Sequence, residues 1–169
     1  MKKQIVATLA VLSITSLTTW VAFAAKPTGP STGGGNVQII GTPTVIDGTT
    51  TLCTTAKLAG LGNGDVTITV TGTGNPTVTC TSPGGNLAPD QNPGEITSTG
   101  SQTIPQEQLK NGTVTFSVCT EEPADPSGKG GGCPNNNFDA QITEVDFTSA
   151  TLTVVQGGKT VIQQPLATP

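Results

Sequence analysis

Three groups of side chains in this sequence have chemistry to offer: cysteines, carboxylates and clustered side-chain amides. The cysteines are Cys53, Cys80, Cys119 and Cys133. Zinc prefers thiolates and imidazoles in close pairs, whereas these cysteines are widely spaced and the chain has no histidine. An even number of cysteines behind an export leader reads instead as two disulfides.

Among the carboxylates, Glu144 and Asp146 share one parity of an alternating run, Asp139 is nearby, and Glu121 and Glu122 are adjacent. Glycoside hydrolysis requires only two carboxyl groups at a set separation. Solubilising an outward face explains these residues more simply. The absence of histidine removes the Ser-His and Cys-His dyads that activate nucleophiles, and tyrosine is also absent. The sequence predicts a protein that is not an enzyme.

Oxygen donors for a hard cation are present in two places. Asp90, Asn92 and Glu95 lie in or beside CTSPGGNLAPDQNPG (80–94), and Asn135, Asn136, Asn137 and Asp139 follow Cys133. Calcium takes about six to eight oxygens, but no calcium-loop spacing is present. Capping of turns by Asn and Asp through their own backbones is the simpler reading. A calcium-dependent binding module stays open as an alternative, and no cofactor is expected. Asn86, Asp90, Asn92, Asn135, Asn136 and Asn137 are candidate contact residues of two loops. Asn111-Gly112-Thr113 matches a glycosylation sequon, yet an Asn-Gly turn entering a strand accounts for it.

The elements that would position these residues follow from alternation. Val66, Ile68 and Val70 alternate with threonines, as do Val114, Phe116 and Val118 with Thr and Ser. One face of each run is buried and the other is hydroxylated. Strands are predicted at 37–46, 50–58, 65–73, 77–81, 95–103, 113–120, 138–147, 150–156 and 159–164. Turn chemistry separates them: Asp47-Gly48, Asn63-Gly64, Asn111-Gly112 and Gly157-Gly158. Residues 105–110 fit a single helical turn. This spacing predicts an all-β fold, an antiparallel immunoglobulin-like sandwich over 37–166.

Parity also predicts how the cysteines pair. Cys53 and Cys119 fall on the outward sets of their strands, while Cys80 shares the inward parity of Val78. Cys53–Cys119 and Cys80–Cys133 follow. The second bond would staple the loop that opens at Cys80 to the Gly/Pro-rich loop 121–137.

Residues 1–24 have the form of a signal peptide: Lys2 and Lys3, an apolar run, then Ala22-Phe23-Ala24. The run is diluted by Ser and Thr and is a poor membrane anchor. The residue after the cut is not cysteine, so lipid attachment is not expected. Residues 25–36 form a linker rich in Gly and Pro. After cleavage the chain would carry five lysines, no arginine and eleven acids, a net charge of −6 (5 − 11). That sign is wrong for neutralising phosphates, which excludes nucleic acid as a partner. Sugar stacking is disfavoured too: Trp20 lies in the leader, and Phe116, Phe138 and Phe147 have inward parity.

The segments CTSPGGN…PDQNPG, SQTIP, KNGTVTFSV, CPNNNF and FTSATLTVVQGG resemble a set of small exported bacterial proteins. The resemblance spans most of the chain after the leader, implies an exported β-sandwich and attaches no ligand. The leading expectation is a secreted, periplasmic or surface module that contacts an unknown protein or surface component. A structural subunit of an extracellular assembly, with the linker donating a strand to a neighbour, is the alternative.

Overall fold

The computed structural model describes residues 36–91 and 93–168, without the side chains of Pro89 and Asp90. The leader and the linker up to residue 35 lie outside these residues. The alternating runs become eight strands: β1 (Gln38–Asp47), β2 (Leu52–Ala59), β3 (Val66–Thr81), β4 (Leu87–Gln91), β5 (Ile96–Ile104), β6 (Val114–Cys119), β7 (Asp139–Gln156) and β8 (Lys159–Leu166). A 3₁₀ turn at Gln106–Gln108 fills the single helical position expected.

Strands β1, β2 and β6 form a three-stranded antiparallel sheet in that order. In the five-stranded sheet β3 and β7 are the central pair and β8 flanks β7. β5 and then β4 follow one another along the other side of β3. Leu52, Leu58, Phe116 and Val118 of the first sheet share one core with Val66, Ile68, Val70, Phe147, Leu152 and Val154 of the second. The molecule is thus a β-sandwich. Along β3 every second residue from Val66 to Cys80 is buried, the pattern that a period of two imposes on a half-buried strand. The outward threonines pair across strands, Thr67 with Thr103 and Thr73 with Thr97, each at 3.1 Å.

Two pairs of expected strands are continuous. Residues 65–73 and 77–81 belong to β3, and 138–147 and 150–156 to β7. The sequence Gly74-Asn75-Pro76 looks like a break, but Pro76 falls where β3 changes neighbours. β5 ends its pairing opposite Gly74, and β4 begins opposite Val78. No strand on that side calls on the missing N–H of Pro76, so the proline is tolerated in a central strand. The ladder between β3 and β7 shifts register twice, leaving Thr148 and Thr143 as extra residues. Each places its hydroxyl on a β3 carbonyl: Thr148 Oγ1 donates to Thr73 O and Thr143 Oγ1 to Thr77 O, both at 3.2 Å. Such bulges bend and twist the strand that carries them.

Turn chemistry closes the lower end, where β3 begins. Asn111 and Gly112 both have positive φ, 52° and 68°, as do Gly157 and Gly158 at 57° and 75°. These values suit the two-residue hairpin turn. The side chain of Gln156 clamps the β2–β3 connection: its Oε1 accepts from Gly62 N at 2.9 Å, and its Nε2 donates to Gly62 O at 2.9 Å and Gly64 O at 3.1 Å.

Candidate cleft at the cross-linked upper end

The two sheets differ in reach. Leu52, at the upper end of β2, lies against Gly72, so the part of β3 beyond Gly74 has no strand of the three-stranded sheet over it. Val78, Cys80, Ala140 and Ile142 would be left bare there. Residues 121–137 cover them instead. Cys133 is bonded to Cys80 with their Cα atoms 5.8 Å apart, and both residues are buried. Gly131 crosses so closely that a Cβ would come within 2.8 Å of Ala140 Cβ and 3.2 Å of Val78 Cγ1. Only glycine fits that crossing.

The covering loop is braced from within. Cys133 N donates to Gly128 O at 2.8 Å, and Gly131 N to Ser127 O at 2.7 Å. Asp125 Oδ1 accepts from Ile142 N at 2.8 Å, next to the bulge at Thr143. Asn135 Oδ1 accepts from Asn137 N at 2.9 Å, and Asn136 Oδ1 from Lys129 N at 3.1 Å. Asn135 and Asn136 therefore serve the turn through their side chains.

The stretch that opens at Cys80 is more regular than a loop. Ser82 N donates to Asn86 O at 2.9 Å and Gly85 N to Ser82 O at 2.8 Å, which closes a tight turn. Leu87–Gln91 then returns along β3 as β4. Pro89 and Asp90 are poor strand formers, but an edge position tolerates them. Asn86 sits in the turn with its side chain exposed. Asn92 and the side chain of Asp90 lie outside the described residues.

Loop and sheet do not close completely. Between them lies a cleft of about 500 Å³. Pro76, Ile96 and Ile142 form its floor, Pro93, Gly94 and Glu95 one rim, and Pro123, Ala124, Pro126 and Gly130 the other. Both long connections thus line one space. Among the described residues Glu95 is the one ionisable residue of the lining, and its Oε1 accepts from Thr148 Oγ1 at 3.4 Å.

Of the proposed oxygen donors, Glu95 and Asp139 are not brought to one point. Ile96, next to Glu95, pairs opposite Gly74, and Asp139 pairs opposite Thr81. Seven residues of strand separate those levels, about 23 Å at 3.3 Å per residue. Among the described residues no group of three or more His, Cys, Asp or Glu is placed to hold a metal ion. The residues that sequence reasoning missed are the apolar walls, Pro76, Ile96, Pro123, Ala124, Pro126 and Ile142. The sole trace of them is a run of prolines, which reads as turn chemistry.

Charge is divided unevenly along the strands. Among the described side chains the upper half holds Asp47, Glu95, Glu121, Glu122, Asp125, Asp139, Glu144 and Asp146 against Lys129, a formal charge of −7 (1 − 8). The lower half holds Asp65 and Glu107 against Lys57, Lys110 and Lys159, a formal charge of +1 (3 − 2). The crowding is felt at Asp47, whose carboxyl pKa is raised above its ordinary value by burial and then by Asp146 and Glu144.

The other disulfide has a different setting. Cys53 and Cys119 face each other in register across β2 and β6, on the outer face, with Cα atoms 3.9 Å apart. Two intact disulfides fit an oxidising, extracytoplasmic setting. No described helix is long and apolar enough to cross a membrane. Comparison with protein-family models, with curated proteins and with solved structures returns no match to this chain.

Proposed function

We propose that this chain is an exported, non-enzymatic binding module that holds a surface or extracellular partner in the cleft at its upper end. The cleft carries the reading: two connections far apart in sequence, one of them bonded to β3 through Cys133–Cys80, converge on one concave space of mixed polar and apolar surface. Its volume lies in the usual range for binding sites, about 300–1,000 Å³. Contact surfaces are commonly built on loops fixed to a rigid scaffold, and here the disulfide and internal hydrogen bonds do the fixing. The chain's lack of histidine and tyrosine supports a binding role over catalysis. Residues 1–24, read as a cleaved leader, and the two disulfides support secretion or residence in a periplasm or at a surface.

The strand order supports an immunoglobulin-like relationship. β1-β2-β6 corresponds to strands A-B-E of that fold, and β5-β3-β7-β8 to C′-C-F-G. The disulfides differ from the inter-sheet bond of antibody domains, since one lies within a sheet and the other ties a strand to a loop. The cleft reading stands ahead of strand donation to a neighbour. The β1 edge carries Pro43, and its register shifts between Ile40 and Thr44, features that discourage added strands.

The test is capture of partners by the labelled mature protein from an array of extracellular peptides, glycans and intact cell surfaces. Ala124→Trp, which fills the cleft from an exposed position, should abolish capture. Thr69→Val, on the outer face, should not. Capture that survives Ala124→Trp overturns the reading, as does turnover in a hydrolase panel that Glu144→Gln or Asp146→Asn removes.

A further inference from the structure

We infer that the occupant of the cleft is a lysine- or arginine-rich polypeptide segment, a conclusion that rests on the cleft being the binding site. Two features of different kind select it. The first is the lining itself. Proline and isoleucine side chains with one carboxylate among the described lining residues, in a cleft of mixed polar and apolar surface, match a side chain that is apolar along its stem and cationic at its tip. Lysine and arginine have that construction, and they bury the stem while the charged head finds water or a counter-charge. A purely apolar ligand would make no use of the exposed carboxylate of Glu95, and an anionic ligand would be repelled by it.

The second feature is the charge around the opening. Asp125 lies between the lining residues Ala124 and Pro126, Glu122 precedes Pro123, and Glu144 is two residues beyond Ile142. Among the described side chains the upper half carries −7 and the lower half +1. A field of one sign around a concave site steers the opposite charge toward it. A single small amine would meet only Glu95. A chain with repeated cations meets the cleft and the surrounding carboxylates together, and extended polypeptide supplies such repeats.

Fully extended, residues 26–35 are too short to bring Lys26 to the cleft of the same molecule. Asn36 lies beside Gly60 at the lower end, and β1 alone climbs ten residues to Asp47. That climb is about 33 Å, and the cleft lies beyond it. Residues 26–35 span at most about 35 Å fully extended, and Lys26 at their far end is their one cation. The occupant is therefore a separate partner.

The experiment titrates the mature protein with fluorescent twelve-residue peptides built from Lys, Pro and Leu, with the same peptides carrying Gln or Glu for Lys, and with spermine. Each titration is run at low and at high sodium chloride. The lysine peptide should bind, with affinity that falls as salt rises. The Gln and Glu versions and spermine should bind far more weakly. Glu95→Gln should weaken the lysine peptide about fivefold, and Ala124→Trp should abolish its binding. Equal affinity for the Lys and Gln peptides, both lost in Ala124→Trp, would overturn the cationic partner and leave the cleft as the site. Lysine-peptide binding that ignores Ala124→Trp, equally tight spermine, or no binding of the lysine peptide at low salt would each overturn the inference.

Discussion

Cys80, on the buried face of β3, is bonded to Cys133, and the bond pins a loop where the sandwich lacks a second layer of strands. The link does the work of a missing strand. It closes a sequence separation of 53 residues, which in the chain-entropy model corresponds to about 4 kcal/mol. The double variant Cys80→Ser/Cys133→Ser should lose stability of that order in urea unfolding. Its amide exchange should speed up across residues 121–137 while β2 and β6 stay protected. Opening Cys53–Cys119 with the matching serine pair should lower stability comparably, since its separation is 66 residues, but leave exchange in the covering loop unchanged. Similar exchange patterns in the two variants would show that the loop is held by something other than Cys133.

Gly100 makes a second joint between the layers. It stands on the inner side of β5, and a Cβ there would run into the carbonyl of Cys119 and approach Thr120 Cα at 2.9 Å. Nearby, Glu121 N donates to Thr99 O at 3.1 Å as the chain leaves β6. Thr120 anchors the same corner, with its N–H donating to Leu52 O and its Oγ1 accepting from Leu52 N, both at 2.9 Å. Backbone cannot yield there as a flexible side chain would. Gly100→Ala should cost about 1–3 kcal/mol or more, the range for overpacking, read as a fall in the urea midpoint. An unchanged midpoint would mean that the two sheets separate easily at this corner.

Parity was enough to pair the cysteines, because Cys53 and Cys119 face outward and Cys80 inward, and a strand fixes those directions within a single period. The same alternation located β1, β2, β5, β6 and β8 to within a few residues. It failed where tertiary position overrides local preference. Pro76 reads as a strand breaker and is harmless only because β4 and β5 leave a gap beside it. Leu87–Gln91 contains Pro89 and Asp90, so its pairing with β3 comes from the turn at 82–86 and not from propensity. The cleft was hidden for a further reason. Its walls come from β3, β5, β7 and two connections, and no periodic pattern joins residues gathered from so many places.

Thr54 occupies an inward position of β2 at 0 % exposure, and its Oγ1 has no hydrogen-bond partner among the described residues. Valine has the same shape without the hydroxyl, so Thr54→Val removes a desolvated polar atom and leaves the packing in place. Stability should rise by about 1 kcal/mol, visible as a higher urea midpoint with an unchanged slope. Ser98 on β5 is in the same condition, 6 % exposed and without a partner for its Oγ among the described residues. A loss of stability in Thr54→Val would indicate a buried water on that hydroxyl.

Asp47 gives the structure a pH dependence whose sign can be worked out. Its folded-state pKa is raised above the ordinary 3.8, first by burial and then by Asp146 and Glu144. The folded form therefore holds this proton more tightly than the unfolded chain does. The contribution of Asp47 to stability is complete below 3.8 and is lost as pH rises through the folded-state value. At neutral pH the ionised carboxylate works against folding. Asp47→Asn keeps a residue suited to the turn with Gly48 and removes the charge. It should be more stable than the parent at pH 7, with the difference shrinking as pH falls through the carboxylate range. Urea midpoints of both proteins at pH 7 and pH 3 measure this. A gap that widens on acidification would mean that Asp47 makes a favourable interaction as a carboxylate, and that its acidic neighbours are held too far away to matter.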